Sequence, residues 1–260
     1  MTTTLTVLGG SAASVGTGQG CAGYLVEHAD TRIVLDLGPG TLQELRKHTD
    51  FRALDAVVVS HLHVDHMLDV VSLRFSLSYN PVKPERRVGL WMPPGGVELL
   101  NRLGSAFDFE GDPETFFTNV FEVAEFDPDQ TLTIGDVNLT FAPTVHWVPC
   151  WAIRVHPRKG GGDLFYSADT GPTADLSGLA NGATVVMTES TTPIDQKADG
   201  FRGHIAIDEG AALARNSGAS TWVVTHMFEE NDPAATVDLA RTMFDGDVVH
   251  ARPGTVVTWT

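Results

Sequence analysis

The chain has 260 residues, 42% of them hydrophobic and 19% charged, which is ordinary for a globular protein and fits one domain over residues 1–260. No window holds the roughly 18 apolar residues of a membrane span, and the first residues lack the basic and apolar stretches of a signal peptide, so we expect a cytoplasmic protein without a membrane partner. The formal net charge of −16 would repel a polyanion, which argues against a large nucleic acid but not against a small phosphorylated substrate.

The first predicted elements alternate short apolar strands with turns. A helix is predicted over residues 40–48, where Leu42 and Leu45 have helical spacing. Strands are predicted over residues 5–10, 23–28, 32–38 and 55–60. Cys21 and Cys150 are too few for a disulfide framework and are expected to be small buried side chains.

The middle of the chain is the least regular part. A helix over residues 67–79 is predicted to stop at Pro81. Residues 80–130 are rich in Pro, Gly and Phe, and variable helices and loops that shape a pocket are expected there. Their role in specificity stays open.

Strands and helices alternate again in the last half. A hairpin is predicted over residues 131–144 around a Gly-Asp turn, and helices over residues 206–218 and 233–244. Further strands are predicted over residues 151–156, 164–169, 184–189 and 221–226. This alternation indicates an α/β protein with a mixed sheet covered by helices.

The stretch "VVVSHLHVDHMLD" places four potential metal ligands within six residues, directly after a buried strand: His61, His63, Asp65 and His66. The apolar strand argues against a chance cluster of surface histidines. His61 and His63 alternate by two and can face one ion, whereas Asp65 and His66 come one step later and can face a second. Imidazole and carboxylate without thiolate suit Zn²⁺, with Mn²⁺ or Fe²⁺ as alternatives.

Other candidate residues stand at the carboxyl ends of predicted strands. They are Asp36, His146, Asp169 and His226. Alone, each histidine could be an ordinary half-buried residue, and Asp169 could cap a turn. Because strand ends at one edge of a sheet converge on a common crevice, all four are candidates for the same site as the cluster.

The cluster "HLHVDH" resembles the HxHxDH signature of the metallo-β-lactamase superfamily, and "RIVLDLGPGT" resembles the Asp-containing strand that precedes it there. The candidate residues follow the order of the superfamily's successive motifs over most of the chain. The resemblance implies an αββα sandwich, in which two mixed β-sheets pack face to face with helices on the outer faces.

The spacing of the motifs is similar to that of the RNase Z-like phosphodiesterases. His66 and His146 are 80 residues apart, His146 and Asp169 are 23 apart, and Asp169 and His226 are 57 apart. The first step is longer than expected for glyoxalase II-like thioesterases, and Asp169 stands where the best-known zinc β-lactamases place a cysteine. "VLGGSAASVGTG" near the start also resembles the RNase Z-like opening.

One departure from RNase Z concerns the long arm that grips tRNA. Only the hairpin turn "HPRKGGGD", residues 156–163, lies where the arm would be inserted. The chain therefore resembles the arm-less relatives, among them bacterial cyclic nucleotide phosphodiesterases, and tRNA 3′ processing becomes the less favoured activity.

The resemblance also implies residue roles. His61, His63 and His146 would hold one Zn²⁺, Asp65, His66 and His226 a second, and Asp169 would bridge them. Asp36 would orient a ligating imidazole or cap a turn. Glu189 and His204 resemble the proton-handling pair of the RNase Z-like enzymes and join Asp65 as catalytic candidates; the alternatives are a surface carboxylate and a loop histidine.

These roles imply a dinuclear zinc hydrolase that cleaves a phosphodiester in a small substrate, such as a 3′,5′-cyclic nucleotide, by attack of a metal-bridging hydroxide. An alternative is a hydrolase of carboxylic esters, lactones or thioesters with the same metals. A third is a non-enzymatic metal- or partner-binding module. Because related enzymes often form dimers, the resemblance also implies that this chain could form a homodimer.

Overall fold

A computed structural model describes residues 1–107, 112, 114–198 and 200–260 of the chain. Its strands are β1 Thr3–Gly9, β2 Gly23–His28, β3 Thr31–Leu37, β4 Ala56–Val58, β5 Val88–Met92, β6 Phe121–Glu125, β7 Leu132–Ile134, β8 Val137–Pro143, β9 Trp151–Pro157, β10 Leu164–Tyr166, β11 Val185–Glu189, β12 Thr221–Thr225, β13 Asp247–His250 and β14 Val256–Trp259. Its helices are α1 Thr41–His48, α2 Val64–Met67, α3 Asp69–Tyr79, α4 Gly96–Phe107, α5 Thr115–Thr118, α6 Ser177–Ala180, α7 Ile207–Ser217 and α8 Pro233–Arg241.

The described strands form two sheets of seven. The first has the order β14-β1-β2-β3-β4-β5-β6, and the second has the order β13-β12-β11-β10-β9-β8-β7. Strands β3 to β6 pair in parallel in the first sheet, and strands β10 to β13 pair in parallel in the second. The other neighbouring strands are antiparallel. Both sheets are therefore mixed.

Alternation along the strands builds three apolar layers. Along β2, Tyr24 and Val26 face a core between the two sheets, whereas Leu25 faces the helices. That second core contains Leu45 of α1 and Leu73 of α3. A third core packs α7 and α8 against the outer face of the second sheet. The expected αββα sandwich, with its two mixed sheets packed face to face, is thus confirmed.

Several predicted elements agree with the structure in type and place. The predicted hairpin over residues 131–144 is β7 and β8. The predicted helix over residues 206–218 is α7, which is capped at its C-terminus by Gly218 with a φ of 77°. Strand β10 ends at Tyr166, earlier than predicted, so Asp169 lies on the loop that follows it. The predicted helix over residues 67–79 is interrupted at Leu68, which separates α2 from α3.

The prediction of only helices and loops over residues 80–130 was wrong in part. Strands β5 and β6 extend the first sheet there in parallel pairing; residues 108–111 and 113 lie outside the described residues. Strands β13 and β14 were also not predicted. These strands have four or five residues each and lie at or near sheet edges, so their pairing depends on neighbours distant in sequence.

The turn where an arm would be inserted is short. Strands β9 and β10 pair as an antiparallel hairpin, with Leu164 opposite Val155. Within the described part of the chain, no helix is both long and apolar enough to cross a lipid bilayer.

Candidate metal centre

The His61–His66 segment comprises the turn after β4 and the first residues of α2. The β4 strand ends at Val58, and His63 directly precedes the first residue of α2. The side chains of His61 and His66 are fully buried, and Asp65 is 8% exposed. Burying titratable groups this deeply is costly unless each has a polar or ionic partner.

The structure brings all seven predicted ligands into two adjoining groups. Their candidate ligand atoms lie within 4.8 Å of one another in each group: His61, His63, His146 and Asp169 form one, and Asp65, His66, Asp169 and His226 form the other. Asp169 belongs to both groups. This is the division expected from the sequence, with Asp169 between the two.

Within the first group, three ring nitrogens face one another. Nε2 of His61 and Nε2 of His146 lie 3.2 and 3.0 Å from Nδ1 of His63. Oδ2 of Asp169 lies 3.7 Å from Nε2 of His61 and 3.7 Å from Nε2 of His146. Nitrogens gathered on a common point are the arrangement that a cation requires.

In the second group, Nε2 of His226 lies 3.1 Å from both Nε2 of His66 and Oδ2 of Asp65. Oδ1 of Asp169 lies 3.3 and 3.5 Å from the same two histidine nitrogens. It is buried and has no hydrogen-bond partner among the described residues. A buried carboxylate oxygen without a partner fits a position that a cation would satisfy.

Hydrogen bonds behind the rings orient the histidines of the first sheet. Nδ1 of His66 donates to Oδ2 of Asp36 at 2.8 Å. The hydroxyl of Ser60 donates to Asp36, so it accepts from Nδ1 of His61, 3.0 Å away. A neutral imidazole whose Nδ1 carries the proton has its lone pair on Nε2, and in both rings Nε2 faces the cluster.

The histidines of the second sheet are held in the same way. Nδ1 of His146 donates to the carbonyl of Gly203 at 2.8 Å. The hydroxyl of Thr191 donates to the carbonyl of His226 and therefore accepts from its Nδ1, at 2.8 Å. Four imidazoles thus present Nε2 lone pairs to the interior, so the donor set fits divalent cations.

The charge state of the site follows from burial and from neighbouring charges. Burial lowers the pKa of His146 to about 4 and holds the pKa of His61 well below its ordinary value, so both rings are neutral near pH 7. Although burial opposes it, the charges of His226 and His66 hold the pKa of Asp169 well below its usual range. Neutral imidazoles and an ionised carboxylate are the forms that bind metal, and His61, His146 and Asp169 are already in these forms. Although burial opposes it, the carboxylates of Asp169 and Asp36 raise the pKa of His66 well above its ordinary value, so a metal that bound there would displace the proton on Nε2.

Asp36 makes the contacts that both of its predicted roles require. Besides His66, its carboxylate accepts from the N–H of Ser60 at 2.7 Å and from the hydroxyl of Tyr166 at 2.7 Å. The first contact fixes the turn before His61, and the second joins the two sheets. Asp36 has a φ of 56°, a left-handed conformation that Asp tolerates better than most residues.

The N-terminal glycine-rich loop also reaches the site. The N–H of Ala13 donates to Oδ2 of Asp65 at 2.8 Å. Residue Gly38 packs so closely that an added Cβ would lie 1.8 Å from the carbonyl oxygen of Asp65.

Cys150 is a buried free thiol, as expected, and it donates to the carbonyl of Asp169 at 3.3 Å.

Glu189 and His204 form a pair beside the two groups. Nδ1 of His204 lies 2.9 Å from Oε2 of Glu189, which is 1% exposed at the end of β11. Glu189 also accepts from the N–H of Thr170 at 2.6 Å. Burial lowers the pKa of His204, but the Glu189 carboxylate outweighs it and the pKa is raised overall. Because Glu189 is buried, it is not a surface carboxylate. Nδ1 of His204 lies 4.0 Å from Oδ2 of Asp169.

Sequence reasoning missed the residues that support the ligands, among them Thr191, Gly203 and Tyr166. Ser60 could have been found from its place directly before the cluster. Thr191 and Gly203 are 35 and 57 residues from the histidines that they contact, and no motif marks them.

A family model described as beta-lactamase superfamily domain matches residues 31–227. The chain is 28% identical to the probable metallo-hydrolase YhfI of Bacillus subtilis, over 97% of this chain and 98% of that one. The crystal structure of YhfI superposes with a TM-score of 0.86 at 25% identity, covering 99% of this chain and 100% of YhfI. The ribonuclease Z of Haloarcula marismortui is 24% identical, over 98% and 96% of the two chains.

A more distant structural neighbour is a diphosphatase from the PhnP family. It has a TM-score of 0.73 at 17% identity, covering 99% of this chain and 97% of that one. At this identity the likeness concerns the fold alone.

Replacing Asp36 by Asn should weaken metal binding by about 10- to 100-fold, because a ligating imidazole would lose the carboxylate that fixes its tautomer. Competition with a chelator of known affinity measures this effect. Asp30→Asn, at an exposed position, is the control and should bind metal like the parent protein. Equal affinity in the Asp36 variant would contradict the orienting role.

Proposed function

The chain belongs to the beta-lactamase superfamily, and from this membership and the geometry of its buried ligands we propose that it is a dinuclear zinc hydrolase of small phosphodiesters such as 3′,5′-cyclic nucleotides. One ion would be held by His61, His63 and His146, and the other by Asp65, His66 and His226, with Asp169 shared. The observation that carries the proposal is the outward Nδ1 hydrogen bond of four histidines, which directs four Nε2 lone pairs inward.

Two bound cations would supply a water of lowered pKa as nucleophile and Lewis-acid stabilisation of the phosphate. Zinc suits this mixture of imidazole and carboxylate, with manganese or iron as alternatives. Asp65 is held by the N–H of Ala13, and its carboxylate can also accept a hydrogen bond from the attacking water and orient it.

His204 is suited to donate a proton to the departing oxygen. Glu189 accepts from its Nδ1, so Nε2 is the atom that can carry the proton toward the substrate. The raised pKa of His204 keeps a larger share of it protonated near neutral pH. Glu189 orients the ring and stabilises its charge, and the N–H of Thr170 holds that carboxylate in turn.

A hydrolase of carboxylic esters, lactones or thioesters remains the second candidate, because the same ligands would serve it. The buried Glu189–His204 pair argues against thioesters, since a thiolate leaves without protonation, whereas the alkoxide that leaves a phosphodiester gains from a proton donor. Processing of tRNA is disfavoured because the β9–β10 hairpin turn is short and the net charge is −16.

The substrate class can be tested with metal-loaded protein and five compounds: cyclic AMP, a linear phosphodiester, precursor tRNA, a lactone and a thioester. We expect hydrolysis of cyclic AMP and of the linear diester, which chromatography of the products measures. Activity confined to the lactone and the thioester would replace the phosphodiesterase assignment with the second candidate.

Protein purified without chelator should contain about two transition-metal ions per chain, measured by inductively coupled plasma mass spectrometry. Asp169→Ala should lower the occupancy of both positions, because this carboxylate adjoins both groups. Asp175→Ala, at an exposed position, is the control. Fewer than one ion per chain in the parent protein would favour a non-enzymatic module.

His204→Ala should reduce kcat for cyclic AMP by about 10²- to 10⁴-fold, as expected for the loss of a general acid. The loss should be smaller for bis(p-nitrophenyl) phosphate, because p-nitrophenolate is a weak base that leaves with less protonation. Steady-state kinetics on both substrates measure the difference, with His48→Ala as control. Equal losses on the two substrates would contradict the acid role.

A further inference from the structure

Two large aromatic side chains lie exposed beside the metal centre. Trp147 is 59% exposed and Phe201 is 63% exposed. Their ring centroids are 5.9 Å apart with an interplanar angle of 72°. Since exposing large aromatic surface to water is unfavourable, a pair of such rings next to a polar site indicates a ligand that covers them.

The indole of Trp147 contacts the catalytic machinery directly. Its centroid lies 5.0 Å from that of His146 and 5.1 Å from that of His204. A Cβ added to Gly203 would lie 2.6 Å from the indole, so backbone packs closely under the ring. The indole is therefore held in place on its inner side while much of its surface stays accessible.

The segments that carry the two rings are tied to each other and to the metal ligands. The carbonyl of Val145 accepts from the N–H of Gly171 at 2.6 Å, two residues after Asp169. The carbonyl of Gly203, two residues after Phe201, accepts from His146. Because the backbone that carries the rings is held in this way, less conformational entropy is lost when a ligand stacks on them.

We propose that Trp147 and Phe201 form an aromatic wall that stacks on a planar ring of the substrate, a nucleobase in the case of a nucleotide. The wall adjoins His204, the proposed donor to the leaving oxygen, so the ring belongs to the part of the substrate that carries that oxygen. This inference rests on the proposed function and adds the feature by which the site selects its substrate. Because every base has a π-face, the wall selects aromatic over aliphatic groups without distinguishing among bases.

The stacking contribution can be measured by binding alone. Isothermal titration of metal-loaded protein with AMP and with ribose 5-phosphate compares two ligands that share the sugar phosphate and carry either a base or a hydroxyl at C1′. Stacking on an aromatic side chain is worth about 1–3 kcal/mol per base, so AMP should bind at least about five-fold more tightly. Trp147→Leu and Phe201→Leu should each weaken AMP binding several-fold and weaken ribose 5-phosphate binding less, so that the preference for AMP falls, whereas Trp147→Phe should retain most of the preference.

Tyr79→Leu is the matched control, since it removes an aromatic ring that is 68% exposed on α3. Metal content is measured for each variant, and Phe201→Leu decides the outcome if the Trp147 variants lose metal or fail to fold. In kinetics, the two leucine variants should raise KM for cyclic AMP more than they lower kcat.

The outcomes separate this inference from the proposed function. Equal affinity for AMP and ribose 5-phosphate contradicts the stacking role of the aromatic wall, even if cyclic AMP is hydrolysed. A preference for AMP that depends on Trp147 and Phe201 supports the wall, even if no phosphodiester is cleaved and the proposed function fails. A change of oligomeric state in the leucine variants without loss of AMP preference also overturns it, because the rings would then cover a partner chain.

Discussion

The site depends on the hydrogen bonds that hold its histidines from behind. Burying this many ionisable groups would strongly destabilise the fold if each had to give up water without a replacement partner. Here Asp36, Ser60, Thr191 and the carbonyl of Gly203 accept the Nδ1 protons. The same contacts that offset desolvation also leave the Nε2 atoms free to bind, so stability and ligand geometry have a common origin.

The two sheets contribute to the centre together, and polar contacts join them at that point. The hydroxyl of Tyr166 from the second sheet donates to Asp36 of the first. The hydroxyl of Tyr24 from the first sheet is hydrogen-bonded to Thr225 of the second at 2.7 Å, one residue before His226. The two tyrosine rings meet edge to face, 5.1 Å between centroids. Displacement of one sheet against the other would therefore disturb the ligands as well as the core.

The surroundings of the centre limit what it can accept. The hairpin between β9 and β10 is short, and the net charge of −16 disfavours a long polyanion. Trp147 and Phe201 add apolar surface beside the Glu189–His204 pair. A compact substrate that combines one phosphodiester with one aromatic ring is compatible with each of these features.

The amino-acid sequence alone determined the order of the ligands, their division into two groups, the sandwich of two mixed sheets and the short hairpin. The cluster, the candidate residues at strand ends and the hairpin follow from local patterns, whereas the sandwich and the full division into two groups were implied by the resemblance of these motifs to the superfamily. Only the tertiary structure decided the pairing of β5, β6, β13 and β14, the Nδ1 partners of His146 and His226, and the contact of Trp147 with Phe201. These contacts join residues 35 or more positions apart, or short edge strands, where local propensity carries little information about the partner and packing selects it.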